Sequence, residues 1–157
     1  MHKITPFLWF DDQAEEAANL YVSLFPNSKI TSVTRYGATG PGESGKVMTV
    51  GFELDGMPVT ALNGGPLFPF SEAVSFVVDC EDQAEVDRFW DALLSDGGRP
   101  SQCGWLKDRF GFSWQIVPKA LPRLLGDPDP AKAERVTAAM LKMVKLDVAG
   151  LTRAAAG

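Results

Sequence analysis

Apolar and polar positions change their spacing in the same order twice along residues 1–118. The first copy opens with an apolar, β-rich segment (4–10), and residues 14–25 then repeat apolar positions every three to four residues, which predicts an amphipathic helix. Strand-like alternation follows in three segments, residues 29–36, 46–54 and 57–63. Asp55-Gly56 predicts a tight hairpin turn between the last two. The pattern therefore predicts a βαβββ unit within residues 1–65.

The same order returns after a linker, residues 66–72, which overlaps the glycine- and proline-rich stretch GGPLFPFS (64–71). Residues 73–80 read as a strand, residues 81–98 as a helix that ends at Gly97-Gly98, and residues 99–118 as two or three short strands. The tetrapeptide DQAE stands at both helix starts, where aspartate is a favourable N-cap. We therefore predict an α+β fold of duplicated βαβββ modules, with the second module spanning residues 73–118.

Residues 119–157 do not repeat this order and predict a C-terminal helical extension. The sequence DPDP (127–130) ends one segment and favours a new helix at Pro130. An apolar stripe continues this pattern through Val136, Met140, Met143 and Leu146. We expect the stripe to cover the domain or a partner subunit.

Composition and charge exclude several classes of partner. A net charge of −5 argues against nucleic acid, which normally requires a basic face. No apolar run approaches the ~20 residues that cross a bilayer, and the first ten residues do not resemble a signal peptide. Cys80 and Cys103 form no C-x-x-C pair, and His2 is the single histidine, so a structural zinc site is disfavoured. We expect a cytoplasmic protein with no membrane partner.

Common catalytic signatures are also missing from the sequence. Methyltransferases and dehydrogenases place a glycine-rich turn between a strand and a helix. Both strand-to-helix turns here, WFDDQAE and DCEDQAE, are acidic and contain no glycine. There is no G-x-S-x-G motif, and one histidine leaves no credible base for a serine nucleophile.

A small-molecule pocket is the remaining chemical possibility. Alternate residues of a strand share a face, which groups Thr5, Phe7 and Trp9, then Ala73, Ser75 and Val77, then Ser113, Gln115 and Val117. Such faces would form an aromatic, weakly polar lining; the alternative is an ordinary core with satisfied polar groups. The predicted ligand contacts are Thr5, Phe7, Trp9, Asn63, Ser75, Ser113, Trp114 and Gln115.

Several motifs together resemble one known family. They are ITPFLWFDD, RYG, VMTVGFELDG, TALNGGPLFPFS, SFVVDC, CGWLKDRFGFSWQIVP and DPDPAKAERV. These segments resemble the PhnB-like branch of the vicinal oxygen chelate superfamily, which includes glyoxalases, bleomycin-resistance proteins and extradiol dioxygenases. The resemblance implies paired βαβββ modules that curl into a cup-shaped mixed sheet, usually completed in a homodimer. Some members of the branch carry a demethylubiquinone methyltransferase label, although this sequence offers no methyl-donor site.

The resemblance also implies where a metal would be held. Metal-dependent members use histidine, glutamate or glutamine on inner strands, and those positions fall here on Thr5, on Ala73 (or Ser75 if the register shifts by two) and on Gln115. A fourth position falls on Ala61 or Asn63. Hydroxyl and amide groups are weak ligands for a dication. We therefore expect no tightly bound metal and no other cofactor, with a weakly held divalent metal as the disfavoured alternative.

Three functional hypotheses follow from these observations. The first is a small-molecule-binding protein of the glyoxalase and bleomycin-resistance type, without a tightly bound metal. The second is a lyase, isomerase or other vicinal-oxygen enzyme with a weakly held divalent metal, for which Glu53 is the candidate base. The third is a regulatory or assembly subunit that docks a partner through its C-terminal helix.

Overall fold

The computed structural model describes residues 2–157, and the chain divides into two compact units that meet in sequence at Phe70 and Ser71. The first unit contains β1 (Phe7–Phe10), α1 (Ala14–Leu24), β2 (Lys29–Arg35), β3 (Val47–Leu54) and β4 (Met57–Asn63). Its mixed sheet, the first sheet, has the order β1-β4-β3-β2, with β1 parallel to β4 and the other neighbours antiparallel.

Helix α1 packs on one face of the first sheet. The Tyr21 and Phe52 rings lie 6.3 Å apart between helix and sheet, and both side chains are fully buried. Alternation along the strands places Leu8, Val50 and Ala61 on the same buried side. The predicted Asp55-Gly56 turn is confirmed, because both residues have positive φ and join β3 to β4 as a two-residue hairpin.

The second unit repeats the first. It contains β5 (Ser75–Cys80), α2 (Gln83–Leu94), β6 (Arg99–Pro100), β7 (Trp105–Lys107) and β8 (Ser113–Pro118). Its mixed sheet, the second sheet, has the order β5-β8-β7-β6, which is the order of the first sheet. The predicted duplication of a βαβββ module in an α+β fold is confirmed.

Aromatic packing on the helix side fixes the centre of the second sheet. Phe76, Phe112 and Trp114 form three edge-to-face pairs with ring centroids 4.8–5.6 Å apart. The buried carboxylate of Asp108 accepts hydrogen bonds from the Phe112 amide (3.1 Å) and the Trp114 indole (2.9 Å). The turn between β7 and β8 is thereby tied to the core, because buried polar groups require such partners.

The two DQAE segments start their helices differently. In the second copy Asp82 accepts from the Glu85 amide at 3.0 Å, and Glu85 accepts in return from the Glu81 amide. In the first copy the predicted aspartate cap is wrong, because the N-cap residue is Gln13. The Ala14 amide instead donates to Asn63 Oδ1 on β4, at 2.8 Å. A distant strand residue thus replaces the local cap.

The C-terminal extension contains three helices rather than one: α3 (Ala120–Leu125), α4 (Pro130–Met140) and α5 (Val148–Ala156). Its predicted stripe is not one helical face, because α4 ends at Met140. The stripe is nevertheless buried or half-buried in a cluster shared by the extension, namely Leu121, Leu124, Val136, Leu146, Leu151 and Ala155, with Met140 and Met143 against it. The stripe therefore packs within its own unit.

Gln83 connects this extension to α2. Its amide nitrogen donates to the Leu146 carbonyl at 3.1 Å, and its amide oxygen accepts from the Val148 backbone at 2.7 Å. Gly104 supports the same junction: its amide donates to the Val144 carbonyl, and a Cβ there would lie 2.9 Å from Leu146 Cδ1. The extension is thus part of the second unit.

The structure divides the chain within the predicted linker 66–72. Residues 66–70 belong to the first unit, where the Phe70 ring packs 5.0 Å from Phe10. Residues 71–72 begin the second unit. Among residues 2–157, no helix has the length and apolar character that crossing a membrane would require.

Candidate ligand-binding surface

The face of the second sheet opposite α2, here called the open face, carries a line of polar side chains across all four strands. Direct strand pairs join Ser75 to Ser113, Ser113 to Lys107, and Lys107 to Arg99. Directly paired residues share a face of the sheet. These four residues are named the polar row.

A second line of residues runs beside the polar row. Gln115 pairs with Val77 on β5 and with Trp105 on β7. Gln115 Nε2 donates to Ser75 Oγ at 2.9 Å, which ties the two lines together. Gln115 Oε1 forms no hydrogen bond within the described chain, and Val77 is 54% exposed. The open face therefore offers an amide acceptor beside an indole and an aliphatic side chain.

A cavity of about 160 Å³ opens at the Arg99 end of the polar row. Lys107 Nζ lies 2.8 Å from Glu72 Oε1 at its wall. The hydrogen bond from Lys107 holds the pKa of the Glu72 carboxyl below its usual value, so this carboxylate stays ionised at neutral pH. Arg99 also lines the cavity and forms no ion pair within residues 2–157.

Ser113 has an unusual environment in this cavity. The residue is 1% exposed and lines the cavity, yet its hydroxyl has no hydrogen-bond partner among the described residues. Because no protein group engages it, the hydroxyl is available to water or to a ligand that enters the cavity.

The first sheet exposes aromatic side chains on the face opposite α1. Phe7 is 59% exposed, and the Trp9 ring lies 4.9 Å from the Phe68 ring in an edge-to-face contact. Trp9 Nε1 donates to the Gly65 carbonyl at 2.9 Å. A Cβ at Gly64 would lie 2.4 Å from the indole, so the GG of ALNGGP allows Trp9 to pack on the backbone.

Glu53, the candidate base, lies on this same face of the first sheet. Alternation places it opposite the buried side chains of Phe52 and Leu54. Its carboxylate lies 3.8 Å from Lys29 Nζ on the neighbouring strand and is about one-third exposed. Glu53 is therefore a single carboxylate that is paired with a single lysine.

Several predicted contacts lie elsewhere. Trp114 is 1% exposed on the helix side of β8, because its neighbours in sequence point to the open face and it points away. Asn63 also lies on the helix side of its sheet, where it caps α1 and donates to the Val47 carbonyl. Trp114 therefore lies on the opposite face of β8 from Gln115, and a ligand contact by Trp114 or Asn63 stays a prediction.

Only some of the metal-ligand positions that the resemblance implies lie within strands. Thr5 precedes β1 and is exposed, and Ala73 precedes β5 and is exposed. Ser75, the alternative to Ala73, is the residue that contacts Gln115. Phe7 and Trp9 share a face of β1, as predicted from alternation.

These side chains do not fit a divalent metal. Around Gln115 the donors are an amide and hydroxyls, which are neutral and weak ligands for a dication. Within residues 2–157 no group of three histidine, cysteine, aspartate or glutamate side chains is placed to hold an ion. The donor set favours hydrogen bonding to an organic ligand.

A larger cavity, of about 570 Å³, lies in the first unit beside the start of α1. Its charged walls are strongly acidic, with Asp11, Asp12, Glu15 and Glu43 against Lys46. The cap of α1 by Asn63 already occupies the helix end at this cavity. Its acidic charge thus distinguishes it from the open face of the second sheet.

Trp105, Lys107 and Arg99 lie on this candidate surface and were not predicted from the sequence. A signal for the first two exists in WLK (105–107), where the outer residues alternate around buried Leu106. Pairing of this strand with SWQ (113–115) then aligns Trp105 with Gln115 and Lys107 with Ser113. A three-residue strand gives too short an alternation to be recognised alone.

Comparisons with known proteins agree with this architecture. The family model described as 3-demethylubiquinone-9 3-methyltransferase matches residues 2–117. A putative 3-demethylubiquinone-9 3-methyltransferase, PhnB protein, from Bacillus cereus is 37% identical, with a TM-score of 0.68 over 74% of this chain and 99% of that chain. A search of curated proteins finds no match.

Two more distant structures share the fold. Protein PA1353 from Pseudomonas aeruginosa is 21% identical, with a TM-score of 0.60 over 75% of this chain and 98% of that chain. The fosfomycin resistance protein FosX from Listeria monocytogenes is 13% identical, with a TM-score of 0.51 over 75% and 93%. The family match covers both βαβββ modules. The chain therefore belongs to the PhnB-like 3-demethylubiquinone-9 3-methyltransferase family.

Proposed function

We propose that this protein binds a small organic molecule on the open face of the second sheet, without a tightly bound metal. The observation that carries the proposal is the bond from Gln115 Nε2 to Ser75 Oγ, with Val77 and Trp105 as neighbours. A few polar groups among apolar and aromatic side chains are typical of small-molecule sites. Gln115 Oε1 and the Ser75 hydroxyl remain able to bond to a ligand.

The chemistry of Gln115 supports binding without a metal. The resemblance places a glutamate at this position in metal-dependent members, and glutamine has the same shape without the charge. A neutral amide that already donates to Ser75 is a weak ligand for a dication. The same amide is a good acceptor for an amide or hydroxyl group of an organic ligand.

The methyltransferase named in the family description is not the function we propose. Cofactor-binding enzymes of the doubly wound type use a glycine-rich strand-to-helix turn, whereas the turn before α2 contains no glycine and the Asp82 carboxylate caps α2 at 3.0 Å from the Glu85 amide. The α1 N-terminus is closed by Asn63. Asp11 and Asp12 add negative charge at the α1 entrance, which suits capping.

We also propose that the protein is a cytoplasmic homodimer. Exposed apolar side chains on the first unit, Ile4, Phe7, Leu67 and Phe68, support a protein contact there. Cys80 and Cys103 are free thiols, which suits a reducing compartment. Light scattering coupled to size exclusion should give twice the monomer mass of 17.0 kDa, and a monomer would contradict the dimer.

Elemental analysis of the purified protein tests the metal state. We expect less than stoichiometric zinc, nickel, manganese or iron, because the donors are neutral. One equivalent of any of these metals that survives dialysis would contradict the proposal. Assays with added divalent metals on the wild type and a Glu53→Gln variant test the enzyme alternative, and metal-dependent turnover lost in that variant would favour it.

A further inference from the structure

We propose that the cavity at the Arg99 end of the polar row binds the oxyanion group of the ligand, a carboxylate or a phosphate ester. This inference rests on the proposed function and adds the charge of the ligand to it. Its basis is the coincidence of an unpaired arginine and a buried, unbonded hydroxyl in one cavity.

The charges that line the cavity favour an anion. Arg99 and Lys107 supply two positive charges and Glu72 one negative charge, which leaves one positive charge in excess. Lys107 is engaged with Glu72 at 2.8 Å, so the excess charge is that of Arg99. A guanidinium presents a planar fork of donors that matches a carboxylate or phosphate, which is the geometry of strong charge-assisted pairs.

The Ser113 hydroxyl supplies a neutral donor at the same place. It is buried on the polar row directly opposite Lys107, and its hydrogen has no acceptor within the described chain. A bound oxyanion would accept this hydrogen, because ionised oxygens are strong acceptors. No protein group engages this hydroxyl, so it is available to the oxyanion.

The size of the cavity limits what enters it. At about 160 Å³ it holds about five water volumes of roughly 30 Å³ each, which accommodates a headgroup rather than a drug-sized molecule. Trp105 lines the cavity and also pairs with Gln115. The ligand therefore extends from its oxyanion at Arg99 along Trp105, with its uncharged part near Gln115.

Matched probes test this arrangement. Benzoate and benzamide have the same ring and differ in charge. Comparing phenyl phosphate with benzoate distinguishes a phosphate from a carboxylate, and comparing phenyl phosphate with inorganic phosphate gives the contribution of the ring. Binding is followed by the chemical shifts of the Trp105 indole and the Gln115 side-chain amide in the full-length protein. We expect benzoate or phenyl phosphate to bind at least about tenfold more tightly than benzamide, because the charged pair adds to the ring contact.

Variants separate the roles of the side chains. Arg99→Ala should remove the preference for the anion, Arg99→Lys should restore part of it, and Arg123→Ala, an exposed arginine on α3, should leave it unchanged. Ser113→Ala should weaken benzoate binding several-fold while the free protein becomes no less stable, because no native bond is lost. A purely structural serine would leave benzoate binding unchanged.

The outcomes distinguish this inference from the function on which it rests. Equal binding of benzoate and benzamide on this face, or a preference that survives Arg99→Ala, would overturn the oxyanion site and leave the binding function standing. No saturable shift at Trp105 or Gln115 with any probe would overturn both.

Discussion

Gln115 Nε2 and Ser75 Oγ lie 2.9 Å apart across the parallel strands β8 and β5. Residue 115 pairs directly with Val77, so the hydrogen bond runs diagonally from one line of the open face to the polar row. The bond holds the amide in one orientation and directs Oε1 away from Ser75. Gln115, an uncharged residue on a half-buried strand, therefore presents a fixed hydrogen-bond acceptor.

Replacing this amide should weaken ligand binding more than folding. We expect Gln115→Ala to raise the Kd for benzamide about tenfold, which corresponds to roughly one hydrogen bond. The free energy of unfolding should fall by less than about 1 kcal/mol, because one neutral bond at a half-buried site is lost. Gln102→Ala, at an exposed loop position, is the control. Unchanged benzamide affinity in Gln115→Ala would remove Gln115 from the site.

Asp108 should be a stability residue of the second unit. Its carboxylate accepts from the Phe110 amide, the Phe112 amide and the Trp114 indole at 2.9–3.1 Å. Asp108→Ala leaves these donors without their acceptor, and we expect the free energy of unfolding to fall by about 3 kcal/mol. Asp79→Ala, at an exposed strand position, should change it by less than about 0.5 kcal/mol. Urea denaturation measures both, and equal effects would contradict the assignment.

Asn63 should act on helix α1 and not on the ligand. Asn63→Ala removes the acceptor for the Ala14 amide and the donor to the Val47 carbonyl, so we expect a loss of about 1–2 kcal/mol in the free energy of unfolding. Asn63→Asp keeps the acceptor and should lose less, since a negative charge is favourable at a helix N-terminus. Probe affinity measured below the unfolding transition should match wild type. A variant of normal stability that no longer binds the probe would restore Asn63 to the site.

The two cysteines should differ sharply in reactivity. Burial raises the pKa of the Cys80 thiol to about 12, and nearby Glu85 and Asp79 add to the effect, so almost no thiolate forms at pH 8. Cys103 is partly exposed. We expect N-ethylmaleimide at pH 8 to label Cys103 in the native protein and to label Cys80 after unfolding in urea, as read by peptide mass spectrometry. Rapid native labelling of Cys80 would contradict its burial.

The same pKa shift has a consequence for stability. The folded state favours the protonated thiol, so this contribution is fully present below the ordinary pKa of 9.0 and is lost as the pH rises towards 12. The free energy of unfolding should therefore decline across this window. Cys80→Ala or Cys80→Ser should reduce that decline relative to wild type, whereas Cys103→Ser should not.

The repeated βαβββ order was predictable because two periods of hydrophobicity, near 2 and 3.6, alternate clearly over segments of seven or more residues. The cap of α1 was not predictable, because it joins Ala14 to Asn63, which lie 49 positions apart in sequence. The division of the extension into three helices was not predictable either, because Met143 and Leu146 continue the apolar spacing although α4 has ended at Met140. Burial there follows tertiary packing rather than one helical face.

The candidate site was predictable only where alternation acted on a strand of normal length. SWQIVP gives six residues, which place Ser113 and Gln115 together and Trp114 on the other side. A ligand contact by Trp114 stays a prediction, because its side chain lies on the helix side of β8. Arg99 lies in a two-residue strand, so its membership of the polar row depends on its pairing with Lys107. Pairing of this kind is a property of the fold and cannot be read from a short segment.

One titration tests the central claim of metal-free binding on the second sheet most directly. Uniformly ¹⁵N-labelled protein is dialysed against EDTA and titrated with benzoate and with benzamide, and the titrations are repeated after addition of zinc, nickel or manganese. We predict saturable shifts at the Gln115 side-chain amide and the Trp105 indole, with the same Kd with and without metal. Shifts that appear only after a metal is added, or that leave these two side chains unperturbed, would contradict the claim.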